Sequence, residues 1–242
     1  MRRISKGMLA GFAMVVLAMP VKAQTTAEVL GKYQEAIGGV DAWKGLTTMR
    51  ASGNINVMGM VDGPFTIVQK RPAMARIDMS IQGMDIIQAY DGETAWQVMP
   101  MMTGSSDPVV ADAETAQSIM EQADMDGPLI GYEADGTTIE FEGMETMDGA
   151  ETAKLKVTTS DGLVTYYYLD SGYLPVKMVA VRKIQGVDTE VTTSLADYQN
   201  INGLMFPFMI EIDTPLGVQT LTFDSVETNI EVDETVFSMT GG

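Results

Sequence analysis

The chain has 242 residues, 45% hydrophobic, 20% charged and 7% aromatic, the make-up of a globular chain rather than a disordered one. It contains no histidine and no cysteine, which excludes a Ser-His-Asp triad, a thiol nucleophile, a Cys/His zinc site, a His-ligated haem and any disulfide framework. Thirty-three Asp and Glu against fifteen Lys and Arg give a net charge of −18, which argues against a nucleic-acid partner.

The first residues read as an export signal. Arg2, Arg3 and Lys6 precede an uncharged apolar run from Gly7 to Met19, and Pro20 then leads into Val21-Lys22-Ala23, where small residues suit cleavage after Ala23. The run is too short to span a bilayer, which takes about 20 residues. No cysteine follows it to carry a lipid, so no stable membrane anchor is expected. Residues 1–23 are therefore assigned as a cleaved signal peptide and residues 24–242 as a single domain, exported to the periplasm. Cleavage leaves eleven cations against thirty-three acids, a net charge of −22.

In chain order, the spacing predicts a helix over residues 25–39. Thr25 and Glu28 have the spacing of a capping box, Val29, Leu30, Tyr33, Ala36 and Ile37 recur at helical intervals, and Gly38-Gly39 ends the run. From Leu46 the period falls to two. Ile77, Met79 and Ile81 alternate with polar residues, as do Leu204, Phe206, Phe208 and Ile210 with their neighbours. Asp62-Gly63, Asp91-Gly92, Asp135-Gly136, Asp148-Gly149, Asp161-Gly162, Ser171-Gly172 and Asn202-Gly203 mark hairpin tips. The result is a mainly β chain, an antiparallel meander of about ten strands. A second helix, starting at Asp107-Pro108 and closing at Asp126-Gly127-Pro128, interrupts it, with Val109, Ala113, Ala116, Met120 and Ala123 on one stripe. It reads either as a fixed plug of the core or as a lid over a cavity.

Seventeen methionines remain after the signal peptide, many beside this inserted helix. Methionine is flexible and polarizable, so it suits a surface that fits apolar partners of variable shape, and equally a loosely packed core. No metal site is assigned, because Met without His or Cys makes at best a copper(I) site. Asp124-Met125-Asp126-Gly127 lacks the remaining ligands of a calcium loop. A carboxylate-pair hydrolase could draw on acids such as Asp124, Asp126, Glu140 and Glu142, but no reacting constellation can be named from them, so no enzyme and no cofactor are expected.

Gln69-Lys70-Arg71-Pro72, followed by Tyr90-Asp91-Gly92-Glu93-Thr94-Ala95-Trp96-Gln97-Val98-Met99-Pro100, resembles the periplasmic outer-membrane lipoprotein-carrier and lipoprotein-sorting family, the LolA/LolB-like fold. Tyr168-Leu169-Asp170, Leu174-Pro175-Val176-Lys177 and Val232-Asp233 with Phe237 fit the same pattern in the same order. The resemblance implies an unclosed antiparallel β-barrel whose N-terminal helix and inserted lid helix cover the concave face, with an apolar cavity between. It implies acylated lipoprotein or lipid as cargo, an inner-membrane donor and an outer-membrane acceptor as partners, and a monomeric carrier. It also places the family's lid-latching arginine at Arg71, and a guanidinium has the planar fork of donors for that task. The expected cavity lining is Met60, Phe65, Ile67, Met79, Ile81, Trp96, Met99, Met120, Phe206 and Phe208. A one-residue slip in strand phase would swap faces. The alternative role is a periplasmic sensor that binds the same acyl chains and signals to a partner protein.

Overall fold

The computed structural model describes residues 24–132, 136–184 and 186–239. The assigned signal peptide and Asp135 lie outside the described residues.

Thr25 and Glu28 cap the first helix reciprocally. The Glu28 amide donates to the Thr25 hydroxyl and the Thr25 amide to the Glu28 carboxylate, which fixes the start of α1 (Thr26–Ala36). Val29, Leu30, Tyr33 and Ile37 then form one buried stripe, as their spacing predicts. One further turn, α2 (Val40–Lys44), leads into the sheet.

Thirteen strands follow among the described residues: β1 (Thr48–Val57), β2 (Val61–Lys70), β3 (Met74–Ile81), β4 (Met84–Tyr90), β5 (Ala95–Val98), β6 (Val109–Val110), β7 (Thr138–Met147), β8 (Ala150–Thr158), β9 (Val164–Leu169), β10 (Pro175–Ile184), β11 (Val187–Ile201), β12 (Leu204–Thr214) and β13 (Gly217–Thr228). They make one antiparallel sheet in the order β6-β5-β4-β3-β2-β1-β13-β12-β11-β10-β9-β8-β7. Two local meanders are thus joined by the pairing of β1 with β13, and the edges β6 and β7 do not meet, so the barrel stays unclosed.

The count exceeds the ten or so strands expected because several tight turns carry no Asx-Gly or Ser-Gly signature. Met58-Gly59 and Gln82-Gly83 take the left-handed backbone of tight hairpins, as Asp148-Gly149 and Asn202-Gly203 do. Asp62-Gly63, by contrast, is not a tip but lies inside β2. A Cβ on Gly63 would sit 2.0 Å from the Ser80 carbonyl oxygen, so glycine serves close strand approach there.

The inserted helix also begins later than its Asp-Pro signal suggests. Pro100–Thr103 forms a short helix, α3, and Val109 and Val110 pair with β5 as β6. Asp112 then caps α4 (Ala113–Ala123).

Strand register divides the sheet into two faces. Phe65, Ile67, Ile77 and Met79 share one face with Ala51 and Gly53 through direct pairings, while Val68, Arg76, Ala89 and Trp96 share the other with Arg50. The helices pack on the first, inner face. Helix α1 buries its stripe on Ala153, Leu155, Val157, Tyr167 and Leu169, joined by Leu129 and Ile130 from the segment after α4. Beside it, Leu46, Met125, Leu204, Phe206 and Phe208 form a second cluster with Trp43. On the outer face the C-terminal segment runs past β2 and β3, where the Val232 and Val236 carbonyls accept from Lys70 and Arg76, to pack beside β4 and β5. There Phe237 is fully buried, Met239 packs against Ala89, Trp96 and Val98, and the Trp96 indole N–H donates to the Phe237 carbonyl at 2.7 Å.

Candidate ligand-binding site

The inner face of the sheet is apolar along its middle strands. Gly53 sits between Phe65 of β2 and Phe223 of β13 in register, and with no side chain there the two rings meet edge to face, 5.1 Å between centroids. Phe208 of β12 joins them 6.4 Å from Phe223. The backbone requires this glycine too, because a Cβ would fall 2.0 Å from the Thr222 carbonyl oxygen at a β-bulge. Toward the hairpin tips the same face carries half-buried apolar side chains, Met79, Ile81, Leu195, Ile210 and Leu221. Contiguous apolar surface of this kind is what interaction sites present.

Helix α4 crosses this face. It packs against β3, β4 and β5 and buries Ile119 and Ala123 completely. Its polar ties are few. Asp112 accepts the Thr115 amide at 2.9 Å, the Gln69 amide donates to the Gln122 carbonyl, Glu121 faces Arg182 of β10 at 3.7 Å, and Glu114 accepts the Gly186 amide at 3.2 Å. The helix thus touches both meanders, with one large apolar side chain fully buried. Under it, the Gln97 side-chain oxygen and Arg182 Nη1 are buried with no hydrogen-bond partner among the described residues. Interfaces that leave such groups unpaired are cheaper to open than well-satisfied ones.

Arg71, at the end of β2, ties the segment after α4 to the sheet. Its Nε donates to the Leu46 carbonyl at 2.7 Å and Nη2 to the Trp43 carbonyl, at the end of α2, at 3.1 Å. Nη1 donates to Asp126 Oδ2 at 2.9 Å, and Nη2 closes the second arm of the fork on Asp126 Oδ1. Both partners are only about one quarter exposed. Asp126 follows directly on Met125, which is buried among Leu46, Leu204, Phe206 and Phe208. One guanidinium therefore fastens α2, the α2–β1 turn and the segment after α4 at one point.

The remaining predicted lining residues fall in several places. Phe65, Ile67, Met79, Ile81, Phe206 and Phe208 lie on the inner face. Trp96 does not: it lies on the outer face, buried under the C-terminal segment, since β5 runs in the opposite phase to the one assumed. Met60 belongs to the β1–β2 tip and is 72% exposed. Met120 is 40% exposed: of the predicted stripe of α4, Ala123 is buried against the sheet, but the large apolar side chain beside it is Ile119 rather than Met120. Met99 is the half-buried residue that precedes α3, past the end of β5. Three recesses of roughly 360–370 Å³ all open on the outer face of the first meander, one beneath the C-terminal segment around Val68, Arg76 and Val236.

The acids weighed as a hydrolase pair have other partners. Asp126 holds Arg71, Asp124 accepts the Asp126 amide, and Glu140 and Glu142 face Lys156 and Lys154, each at 3.3 Å.

No protein-family model matches the chain, and no curated protein matches it in sequence. Solved structures do match in shape. A LolA superfamily protein from Nitrosomonas europaea superposes with a TM-score of 0.58 at 16% identity, over 89% of this chain and 98% of the other. A putative outer-membrane lipoprotein-sorting protein domain from Vibrio parahaemolyticus gives 0.56 at 11% identity, over 87% and 94%. A DUF1329 family protein from Desulfovibrio piger gives 0.56 at 12% identity, over 87% and 97%. The fold is LolA-like.

At such identities the likeness is one of fold, and this LolA-like sheet carries its own set of contacts. The pairing of Arg71 with Asp126 is not legible in the sequence, because no spacing pattern links a residue just past β2 with one on the far side of α4. Ile119, Met125 and Phe223 were missed as well. Phe223 lies in an alternating run, Gln219-Thr220-Leu221-Thr222-Phe223, that could have revealed it.

Proposed function

We propose that this protein is a periplasmic carrier that takes acyl chains of lipoproteins or lipids into the inner face of its LolA-like sheet and delivers them toward the outer membrane. In this reading residues 1–23 are removed on export and residues 24–242 form one binding domain. An inner-membrane donor loads it and an outer-membrane acceptor unloads it. The observation that carries the reading is the Arg71 clamp. A bidentate pair with Asp126 and two backbone carbonyls fasten the segment that closes over Phe206 and Phe208, beside half-buried apolar residues.

Energetics explain why a clamp belongs there. Burying about 14 methylenes gives roughly 10 kcal/mol gross at ~0.8 kcal/mol each. A rigid open cavity would hold such a chain too tightly to release it. A closed empty state, stabilised by polar contacts that a bound chain must break, lowers the net affinity to a value from which cargo can leave. In the clamped form Ile119, Ala123, Met125, Leu129 and Ile130 occupy the inner side, so loading requires α4 and the segment after it to move.

The test is native mass spectrometry of the protein purified from its own periplasm, together with thermal melts in the presence of acylated peptides. Co-purified acyl-bearing species and a raised melting temperature are expected. A ligand-free spectrum with no thermal shift overturns the reading.

A further inference from the structure

A cation interrupts the apolar positions of the inner face. Followed by register across β1–β5, β9, β10, β12 and β13, the inward positions carry a single ionised group, Arg182 of β10. Its inward neighbours on the strand are Ala180 and Ile184, and Tyr167 of β9 lies on the same face. The whole chain is strongly anionic, so a cation turned toward the ligand side is not a sample of an evenly charged surface.

The guanidinium is poorly satisfied. Nη2 is 3.7 Å from Glu121 of α4, beyond hydrogen-bonding distance, and Nη1 is buried with no hydrogen-bond partner among the described residues. A buried donor of a charged group left in this state is destabilising, and an oxyanion placed against it would relieve the cost. The other ionisable groups near this point are Glu121 and Asp124 on the α4 side, Asp161 from the β8–β9 turn, and Tyr167. Burial pushes the Tyr167 phenol up to about 12, so its O–H stays protonated beside the guanidinium. Glu121 stands where a ligand's anion would go, but on the element that must move for loading.

We propose that Arg182 is the head-group receptor of the site, so that the preferred ligand is an acyl chain ending in an oxyanion, a carboxylate or a phosphate, which replaces Glu121 as α4 lifts. This rests on the acyl-binding reading above and narrows it: the tail lies along the apolar inner face and the head pairs with β10. Charge exchange then couples occupancy to the lid, since the ligand's anion and the carboxylate of α4 compete for one cation.

The experiment titrates the purified chain with three probes of equal tail length: palmitate, hexadecyl phosphate and hexadecanol. Both anions are expected to bind about tenfold or more tighter than the alcohol, the size of a charge-assisted hydrogen bond. The tighter of the two anions identifies the head-group class. Arg182→Gln should abolish the preference and leave hexadecanol binding unchanged, Arg182→Lys should keep part of it, and Glu121→Gln should strengthen anion binding alone. Equal affinity for all three probes overturns the proposal while leaving acyl binding intact. Binding of none overturns both. If Arg182→Gln fails to fold, Glu121→Gln decides, and unchanged anion affinity in that variant refutes the head-group role.

Discussion

Arg71 and Asp126 are fifty-five positions apart in the chain and meet as a bidentate ion pair, with the Leu46 and Trp43 carbonyls on the same guanidinium. The pair joins the end of one strand to the segment that follows the inserted helix. Removing it with Arg71→Leu leaves the Asp126 carboxylate and two carbonyls to solvent rather than to protein. The sheet should stay folded, at a cost of about 1–3 kcal/mol in urea unfolding. Amide exchange over residues 124–130 should quicken, and bound acyl ligand should leave more slowly, because the empty closed state has lost its fastening. An unaltered release rate removes Arg71 from the mechanism. Arg71→Lys should not restore the wild-type value, since an ammonium cannot span both carboxylate oxygens and two carbonyls.

The two faces of the sheet can be told apart by paired substitutions. Trp96→Phe keeps the ring in the outer cluster but removes the donor to the Phe237 carbonyl, so stability should fall by about 1 kcal/mol with ligand affinity unchanged. Phe208→Ala removes an inner ring beside Phe223 and should cost about 3–5 kcal/mol and also alter ligand affinity. Stability by denaturant unfolding and affinity by calorimetry, measured on both variants, separate the faces. A ligand defect in Trp96→Phe would place the binding surface on the wrong side.

Gly53 offers a third check. A Cβ at this position meets the Thr222 carbonyl oxygen at 2.0 Å and the Phe223 Cα at 2.9 Å, both backbone-linked atoms that cannot swing aside. Gly53→Ala should therefore destabilise by about 1–3 kcal/mol, far more than alanine at a solvent-facing strand position. Thermal melts of Gly53→Ala beside Ser52→Ala provide the comparison, and equal melting temperatures would contradict the close approach.

The cap of the inserted helix predicts an acid response. Hydrogen bonds from the Thr115 amide and hydroxyl hold the Asp112 carboxyl below its usual 3.8. A carboxylate whose folded-state pKa is depressed contributes stability that is complete above its unfolded value and is lost as pH falls through the folded one. The first turn of α4 should thus be firm at neutral pH and fray only below pH 3.8. The Thr115 amide resonance, followed by NMR from pH 6 downward, should move in that acid range. In Asp112→Ala the movement should be absent and the turn loose throughout.

How far the sequence could be read depended on the range of the interaction. Capping of α1 by Thr25 and Glu28, the alternation through Phe206 and Phe208, and hairpin tips such as Asp148-Gly149 are local, and each stands as read. Phase was lost where the run was short. β5 has four residues, all buried, so burial gives no alternation from which to assign Trp96 to a face. In α4 the stripe read through Met120 and Ala123 holds at Ala123, and packing on β3–β5 buries Ile119 in place of its neighbour Met120. The partner of Arg71, and the isolation of Arg182 on the inner face, are products of pairing between distant strands. No window along the chain contains them.

The pairing of β1 with β13 also bears on how the chain is born. Each meander closes through neighbours in sequence, but the seam between them joins residues such as Ser52 and Ser225, 173 positions apart. During synthesis the two halves can form hairpins on their own, while the seam must wait for the last strand to emerge. Until then β1 has an unzipped edge, and the nascent polypeptide remains incomplete, and so threadable, through most of its time on the ribosome.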